Sequence, residues 1–372
     1  MNSFHYFDFD ILIVGCGLSG IVLAERFAQT KKVLIIDKRD HVGGNIYDYY
    51  DEKTNILMNK YGAHLFHTNN ERVWKYINHF DKWIRWDHKV IGKIGTTTFP
   101  IPVNINTTNI LCGENISNTE EMKLWLADNQ VKYDTIQNSE EMGKSRVGEK
   151  LYEKIFHNYT HKQWNKYPEE LDASVLARIP IRDDFDDRYF NDKYQALPEK
   201  GYTNFVKNIT NHENIRVLLN TDYFEFVKEV PVNCEVIFTG PIDAYFADSG
   251  LEKLEYRSID FQIEHLSDNL YQPNSVVNYP QKDVPYTRIV EYKHFLNQES
   301  NGTVIVKETT SDEGEPYYPV PNKKNMDLYE KYRELAEKES RVHFVGRLAN
   351  YKYFNMDAAI LNALEFFDNF KY

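Results

Sequence analysis

Ile11-Leu12-Ile13-Val14-Gly15-Cys16-Gly17-Leu18-Ser19-Gly20 is the stretch that decides the fold. A short apolar run enters the GxGxxG of Gly15, Gly17 and Gly20, and a helix-like stretch, Ile21 to Ala28, leaves it. A second apolar run, Val33 to Ile36, ends at Asp37, about 20 residues beyond the glycines, where a ribose-binding acid belongs. Each glycine has its own task. Gly15 allows the tight turn. Gly17 lets backbone approach a pyrophosphate at the free N–H groups of a helix start, and Gly20 lets helix and strand pack closely. A lone GxGxxG is weak evidence, but strand, helix and acid stand around this one in the right order. Ser19 lies within the loop and is assigned to the cofactor with it.

The following residues, Asp37-Lys38-Arg39-Asp40-His41-Val42-Gly43-Gly44-Asn45, resemble the second glycine signature of FAD-binding proteins of the glutathione-reductase type. There an acid and a basic residue precede x-x-x-G-G, a pair that Rossmann NAD dehydrogenases lack. A flavin dinucleotide is long, and Gly43 and Gly44 would let backbone lie beside its pyrophosphate. The expected cofactor is therefore FAD rather than NAD, with Asp37, Lys38, Gly43, Gly44 and Asn45 among its contacts.

Bulk properties narrow the function classes. The 372 residues suffice for two or three domains. A net charge of −12 argues against a broad nucleic-acid or anionic-membrane surface. No apolar run approaches the roughly 20 residues of a membrane span, and Met1 to Asp10 has no signal-peptide character. Three scattered cysteines, Cys16, Cys112 and Cys234, fit a reducing compartment rather than a disulfide framework. Tyrosine is abundant at 27 residues, and its ring and hydroxyl suit both stacking and phosphate binding.

Along the chain, helical character is expected near Asn70 to Phe80, from Asn104 to about Lys166, and at Gly201 to Asn211, Asp327 to Glu339 and Asp357 to Phe370. Val90 to Pro102 reads as a hairpin around Gly92 to Gly95, and residues 254 to 310 as an antiparallel sheet. Strands near 236 and 343 resemble those of the first unit and are expected to return to its sheet. The expected class is α/β: a Rossmann-like FAD-binding domain of glutathione-reductase type, with an inserted helical domain and an antiparallel β-sheet domain. The FAD-binding domain is assigned to 1–85, 200–245 and 335–372, and the helical domain to 104–172. The substrate sheet is assigned to 86–103, 173–199 and 246–334.

Further stretches carry a specific resemblance. They are K-Y-G-A-H-L-F-H-T (60–68), Y-T-H-K-Q-W (159–164), R-I-P-I-R (178–182), Y-Q-A-L-P-x-x-G-Y (194–202) and F-T-G-P-I-D-A-Y-F (238–246). L-E-Y-R-S (254–258), V-P-Y-T-R-I-V-E (284–291), G-E-P-Y-Y-P-V (314–320) and V-G-R-L-A-N-Y-K-Y (345–353) follow. Together they resemble bacterial-type UDP-galactopyranose mutases, in the family's order and over nearly the whole chain. The resemblance implies an isomerase interconverting UDP-galactopyranose and UDP-galactofuranose. The family uses reduced FAD, whose N5 forms a covalent adduct with the anomeric carbon, without net redox change. It also implies a cytoplasmic homodimer served by an external reductant.

Site residues follow from the same resemblance. Arg178 and Arg288 match the two arginines that hold the diphosphate, a task suited to a bidentate, permanently charged guanidinium. Tyr318 and Tyr353 match phenols bonding the same group. Tyr159, Thr160, Trp164 and Tyr189 match uridine and nucleotide contacts, and His88 and Asn278 match positions approaching the substrate. His64, Leu65, Gly240, Gly346, Arg347, Asn355 and Met356 fall beside the flavin. His64 and His67, at i and i+3, lack nearby cysteine or carboxylate partners, so no metal is expected. His67 is expected to position flavin or sugar rather than act as a general base. Asn355 stands where the family usually has an acid. No G-x-S-x-G, H-E-x-x-H or P-loop occurs, in keeping with chemistry carried by a cofactor. Residues Tyr159 to about Pro180 are expected to form a lid. The competing readings are an amine-oxidase-type oxidoreductase, a non-catalytic FAD or sugar-nucleotide binder, an NAD-dependent epimerase and a mutase acting on UDP-N-acetylgalactosamine.

Overall fold

The computed structural model describes residues 8–371. Most of the Met1 to Asp10 stretch therefore lies outside the described residues. The glycine-rich N-terminal unit starts with strand Ile11–Val14 and helix Leu18–Ala28, followed by strand Val33–Ile36. Both strands are short, β-branched and almost wholly buried, as strands covered on two faces must be. They form the centre of a five-stranded parallel sheet in the order Ile215–Leu218, Val33–Ile36, Ile11–Val14, Glu235–Phe238 and Val342–Phe344. Leu12 pairs with Val236, and Ile237 with His343, so the late strands do return to the first unit. On one face, helix Leu18–Ala28 packs against the final helix, Met356–Asn369. Phe27 meets Phe367 edge-on there at 5.0 Å between ring centroids.

The second large element is a seven-stranded sheet built from Val90–Ile94, Thr97–Ile101, Tyr256–Leu266, Val276–Asn278, Arg288–Glu291, Thr303–Ser311 and Tyr318–Pro319. It is antiparallel except where Val276–Asn278 runs parallel to Val90–Ile94. The hairpin expected around Gly92 to Gly95 is present, with its turn at the Gly95 end, while Gly92 sits inside a strand under the Phe99 ring. Pro100 also continues its strand, because that strand is the sheet's edge and needs no second row of donors. Strand Tyr194–Pro198, read with the substrate sheet, pairs instead with Phe66–Thr68 and Trp83–Arg85. The signal it lacked is long-range pairing, which local periodicity does not encode.

Asparagine caps several of the helices. Asn70, Asn104, Asn118, Asn138 and Asn322 each sit in extended backbone and accept a hydrogen bond from an N–H of the first turn. Such caps contribute about 1 kcal/mol each. Asn322 explains why the helix expected from Asp327 starts earlier, at Lys323. The helical unit ends in an unusual way. Helix Ser139–Leu151 passes into a π-helical turn, Tyr152–His157, before helix Asn158–Trp164. The extra residue per turn re-aims the last helix, a use that π turns serve at functional sites.

Gly20 tests the packing of the first unit. A Cβ there would lie 2.0 Å from the carbonyl oxygen of Gly15, whereas one on Gly95 would meet nothing within 4 Å. Gly20→Ala should therefore lower stability by about 1–3 kcal/mol through overpacking. Gly95→Asn, at a left-handed turn that asparagine tolerates, should cost a few tenths of that order. Thermal unfolding of both variants checks the contrast.

Candidate functional site

A cavity of about 1490 Å³ opens where three parts of the fold meet. The carboxyl ends of the parallel strands supply Gly15, Asp37 and Gly240, while the large sheet supplies Asn278, Arg288 and Glu308. The helical unit supplies Tyr159, Thr160 and Trp164. Crevices outside the carboxyl ends of parallel strands are the usual ligand sites of such sheets. Pockets for one small ligand span about 300–1,000 Å³, so this one has room for a dinucleotide and a second ligand.

The glycine end is built by backbone contact. A Cβ on Gly44 would lie 2.8 Å from the Cα of Gly17, so the two glycine signatures sit back to back and leave the trough bare of side chains. Asp37 ties the signatures together. Its Oδ2 accepts from the Cys16 N–H at 2.7 Å and its Oδ1 from the Arg39 N–H at 2.9 Å. Each oxygen keeps a lone pair for a ribose hydroxyl. Lys38 and Arg39 reach across to Glu315 at 3.0 and 3.5 Å, closing one side of the trough from the substrate sheet. Gly20 and Gly346 are the two assigned cofactor residues that do not line the cavity. They act through packing: a Cβ on Gly346 would press on Ser19 Oγ at 2.8 Å. These features fit a dinucleotide cofactor: a side-chain-free trough, helix N–H groups and an acid at the ribose position. Asn355 is the N-terminal residue of the last helix, and its side chain makes no capping bond there.

The other end is cationic and aromatic. Tyr318 and Tyr353 stack at 5.4 Å, with Arg347 4.7 and 4.5 Å from their ring centroids. Arg178 lies 4.2 Å from the Tyr353 ring, and Trp164 meets both tyrosines at 6.2–6.4 Å. Arg288 donates from Nε to Glu308 at 2.6 Å, while the other Glu308 oxygen is buried without a partner. Burial works against the Arg288 charge, yet Glu308, with Tyr159 and Tyr318, holds its pKa above the ordinary value. Burial also raises the Tyr353 phenol, but Arg178 and Arg347 outweigh it and draw its pKa down to about 8. Arg347 Nε and Nη2 and Asn278 Oδ1 are buried without partners. Orphaned polar atoms around a cavity are atoms waiting for a ligand.

His64 and His88 are neutral imidazoles. Burial lowers His64 to about 4, with its Nδ1 donating to the Gly62 carbonyl at 2.7 Å, and lowers His88 to about 3. His67 has a carboxylate partner: its Nδ1 lies 2.9 Å from Asp192 Oδ2, and its ring stacks on Phe190 at 3.8 Å. Among the described residues, no three His, Cys, Asp or Glu side chains form a group that could hold a metal ion.

The aromatic helix is latched to the sheet. Lys162 Nζ donates to the carbonyls of Tyr279, Val284 and Tyr286, Thr310 Oγ1 to the Lys162 carbonyl, and Arg257 Nε to the Gln163 carbonyl. Burial, partly opposed by Asp283, lowers the Lys162 pKa to about 8. The stretch expected to act as a lid is thus held against the large sheet here. Sequence reading missed Glu308, Asp192 and Lys162. Their partners lie 20, 125 and at least 117 residues away, so nothing local marks them.

Comparisons bear on the whole arrangement. A family model described as UDP-galactopyranose mutase matches residues 154–353, and one described as an NAD(P)-binding Rossmann-like domain matches residues 13–80. The chain is 40% identical over 366 residues to a probable UDP-galactopyranose mutase of Klebsiella pneumoniae, covering 97% of this chain and 94% of that one. It is 38% identical over 364 residues to a dTDP-fucopyranose mutase of Escherichia coli, covering 95% and 96%. The crystal structure of a reduced UDP-galactopyranose mutase superposes with a TM-score of 0.77 at 15% identity, over 97% of this chain and 95% of that one. That last likeness speaks to the fold.

The acidified phenol can be observed directly. As pH rises, the phenolate absorbance of the wild-type protein minus that of Tyr353→Phe should show a step centred near pH 8. An unperturbed tyrosine would titrate near 10, and a difference spectrum with its step there would contradict the placement of Tyr353 among guanidiniums.

Proposed function

The chain belongs to the UDP-galactopyranose mutase family, and from that premise we propose that it interconverts the pyranose and furanose forms of UDP-galactose with reduced FAD as its cofactor. One observation carries this reading. A backbone-lined dinucleotide trough and a cluster of three guanidiniums open into the same cavity. An amine-oxidase-type enzyme has use for the trough but not for the arginines, and a nicotinamide-dependent sugar-nucleotide epimerase has use for the arginines but not for the Gly43–Gly44 pair.

The FAD, when bound and reduced, supplies the nucleophile for the anomeric carbon. The chain's own residues handle the nucleotide. Arg178 and Arg288 grip the diphosphate in the ground state and take up its growing charge as the glycosidic bond breaks. Tyr318 and Tyr353 offer phenol donors beside them. Tyr159, Thr160 and Trp164 provide the nucleobase platform, and Tyr189 adds an aromatic wall next to His88. The diphosphate thus stays in place for its return, which an isomerisation requires. The bound helix and the cavity walls keep water from the exposed anomeric carbon. A cytoplasmic homodimer with an external reductant completes the proposal. The three free cysteines support a reducing compartment, while the homodimer and the reductant rest on the family likeness alone.

The test is anaerobic incubation of FAD-loaded, dithionite-reduced protein with UDP-galactofuranose, followed by product separation. UDP-galactopyranose is the expected product; equal rates with oxidised and reduced protein would overturn the role of reduced flavin. The similarity to a dTDP-fucopyranose mutase favours a second substrate pair, so dTDP-fucopyranose belongs in the same assay. That nucleotide adds a methyl to the base and its sugar lacks the 6-hydroxyl.

Arg178→Ala and Arg288→Ala should each reduce kcat/KM by an amount corresponding to about 2–5 kcal/mol, the usual cost of truncating one partner of a buried charge pair. If the arginines follow the leaving diphosphate, kcat falls along with the loss of affinity. A raised KM with normal kcat would assign the arginine to ground-state binding alone.

A further inference from the structure

The mutase reaction breaks one ring and makes another, and both events move a proton. When C1–O5 breaks, O5 must take up a proton to become a hydroxyl. When the 4-hydroxyl oxygen bonds to C1, it must release one. The two transfers cancel, so a single group that gives a proton and then takes one suffices. The arginines cannot do this at working pH, and Glu308 is held by Arg288. His64 and His88 are held neutral by their surroundings, and the Nδ1–H of His64 is given to the Gly62 carbonyl.

His67 is built differently. It lies on strand Phe66–Thr68, directly opposite Gln195 on Tyr194–Pro198, so its backbone is fixed by a sheet. Asp192, just before that partner strand, accepts from His67 Nδ1 at 2.9 Å. The second Asp192 oxygen accepts from Asn69 Nδ2 at 3.0 Å, and Gln195 Nε2 donates to the Asp192 and Phe190 carbonyls at 3.0 and 3.2 Å. Phe190 stacks on the imidazole at 3.8 Å with planes 14° apart. Carboxylate, ring plane and backbone are therefore all held. An ionised carboxylate only accepts, so Nδ1 carries the hydrogen and the lone pair of the neutral ring is on Nε2. The ring lines the cavity, and through Phe190 it adjoins Tyr189, 5.0 Å away by centroids, and His88, at 6.0 Å.

We propose that His67, oriented by Asp192, is the acid–base residue that protonates O5 on ring opening and deprotonates the 4-hydroxyl on re-closure. The step balances without another reactant. Imidazolium Nε2–H passes its proton to O5 as C1–O5 breaks. The neutral ring then takes the 4-hydroxyl proton as the new C1–O4 bond forms. His67 is the catalytic residue; Asp192 is a positioning residue that fixes the tautomer. The inference rests on the mutase reading.

The experiment separates glycosidic cleavage from ring exchange. UDP-galactopyranose carrying a heavy-oxygen label in the bond between C1 and the β-phosphorus scrambles that label into the other β-phosphate oxygens whenever UDP departs and returns. With reduced, FAD-loaded protein, His67→Gln should slow isomerisation about 100-fold or more, the usual contribution of general acid–base catalysis, while scrambling stays within about threefold of wild type. Asp192→Asn should follow it in the same direction, and Asp192→Glu should recover part of the rate. Nitrogen shifts of histidine in the unmutated protein give a readout independent of turnover: the signal lost in His67→Gln should report hydrogen on Nδ1, and in Asp192→Asn it should shift toward the other tautomer. Scrambling that falls in step with isomerisation, undiminished isomerisation in His67→Gln, or an Nε2–H tautomer in the wild type would each overturn the proposal. Wild-type protein that neither scrambles nor isomerises would instead reject the mutase reading.

Discussion

Crowding guanidiniums together with an acid beside only one of them is costly, and this cavity is lined by Arg178, Arg288 and Arg347 in that arrangement. Arg178 faces the Tyr353 phenol, and Arg347 leaves two nitrogens unpartnered. Only Arg288 of the three has a carboxylate, Glu308. Such an arrangement is tolerable where a multiply charged anion completes it. A nucleoside diphosphate does so, and its two phosphates match the demand. The tyrosines between the cations serve the same end, since their π faces and hydroxyls moderate the positive charge when no anion is bound. The acid character of Tyr353 is the local sign of that excess.

The scaffold exists to bring this cationic end against the dinucleotide trough. No single stretch of chain supplies both. The parallel sheet contributes the glycine signatures, the large sheet contributes Arg288 and Glu308, and the helical unit contributes Arg178 and the aromatic helix. The π-helical turn sets the aim of that helix, and the Lys162 hydrogen bonds hold it on the sheet. Asp37 plays a similar role at the opposite end, where one carboxylate fastens the first glycine loop to the second.

Much of this was legible in the sequence, and the reason is physical. Gly15, Gly17, Gly20, Gly43 and Gly44 mark backbone approaches that no other residue permits, so the dinucleotide unit announces itself. The return of strands near 236 and 343 followed from their likeness to the first pair. The arginine and tyrosine positions were legible through their flanking motifs. What was not legible depends on contacts between distant segments. Tyr194–Pro198 reads as a strand, yet nothing local says that Phe66–Thr68 is its partner, and it is that pairing which sets Asp192 beside His67. Glu308 looks like any alternating strand residue until its register opposite Arg288 is known. Asn322 was an overlooked cap, a local signal present in the sequence but read too late in the helix.

The central claim is that one cavity holds FAD in the glycine trough and a nucleoside diphosphate between the arginines. A crystal structure of the protein with FAD and UDP tests it most directly. The account predicts pyrophosphate of the FAD over Gly17 and Gly44, and UDP phosphates within hydrogen-bond distance of both Arg178 and Arg288, with the base against the helix that carries Tyr159 and Trp164. UDP bound away from those arginines, or an FAD that fills their end of the cavity and leaves no room for UDP, would contradict it.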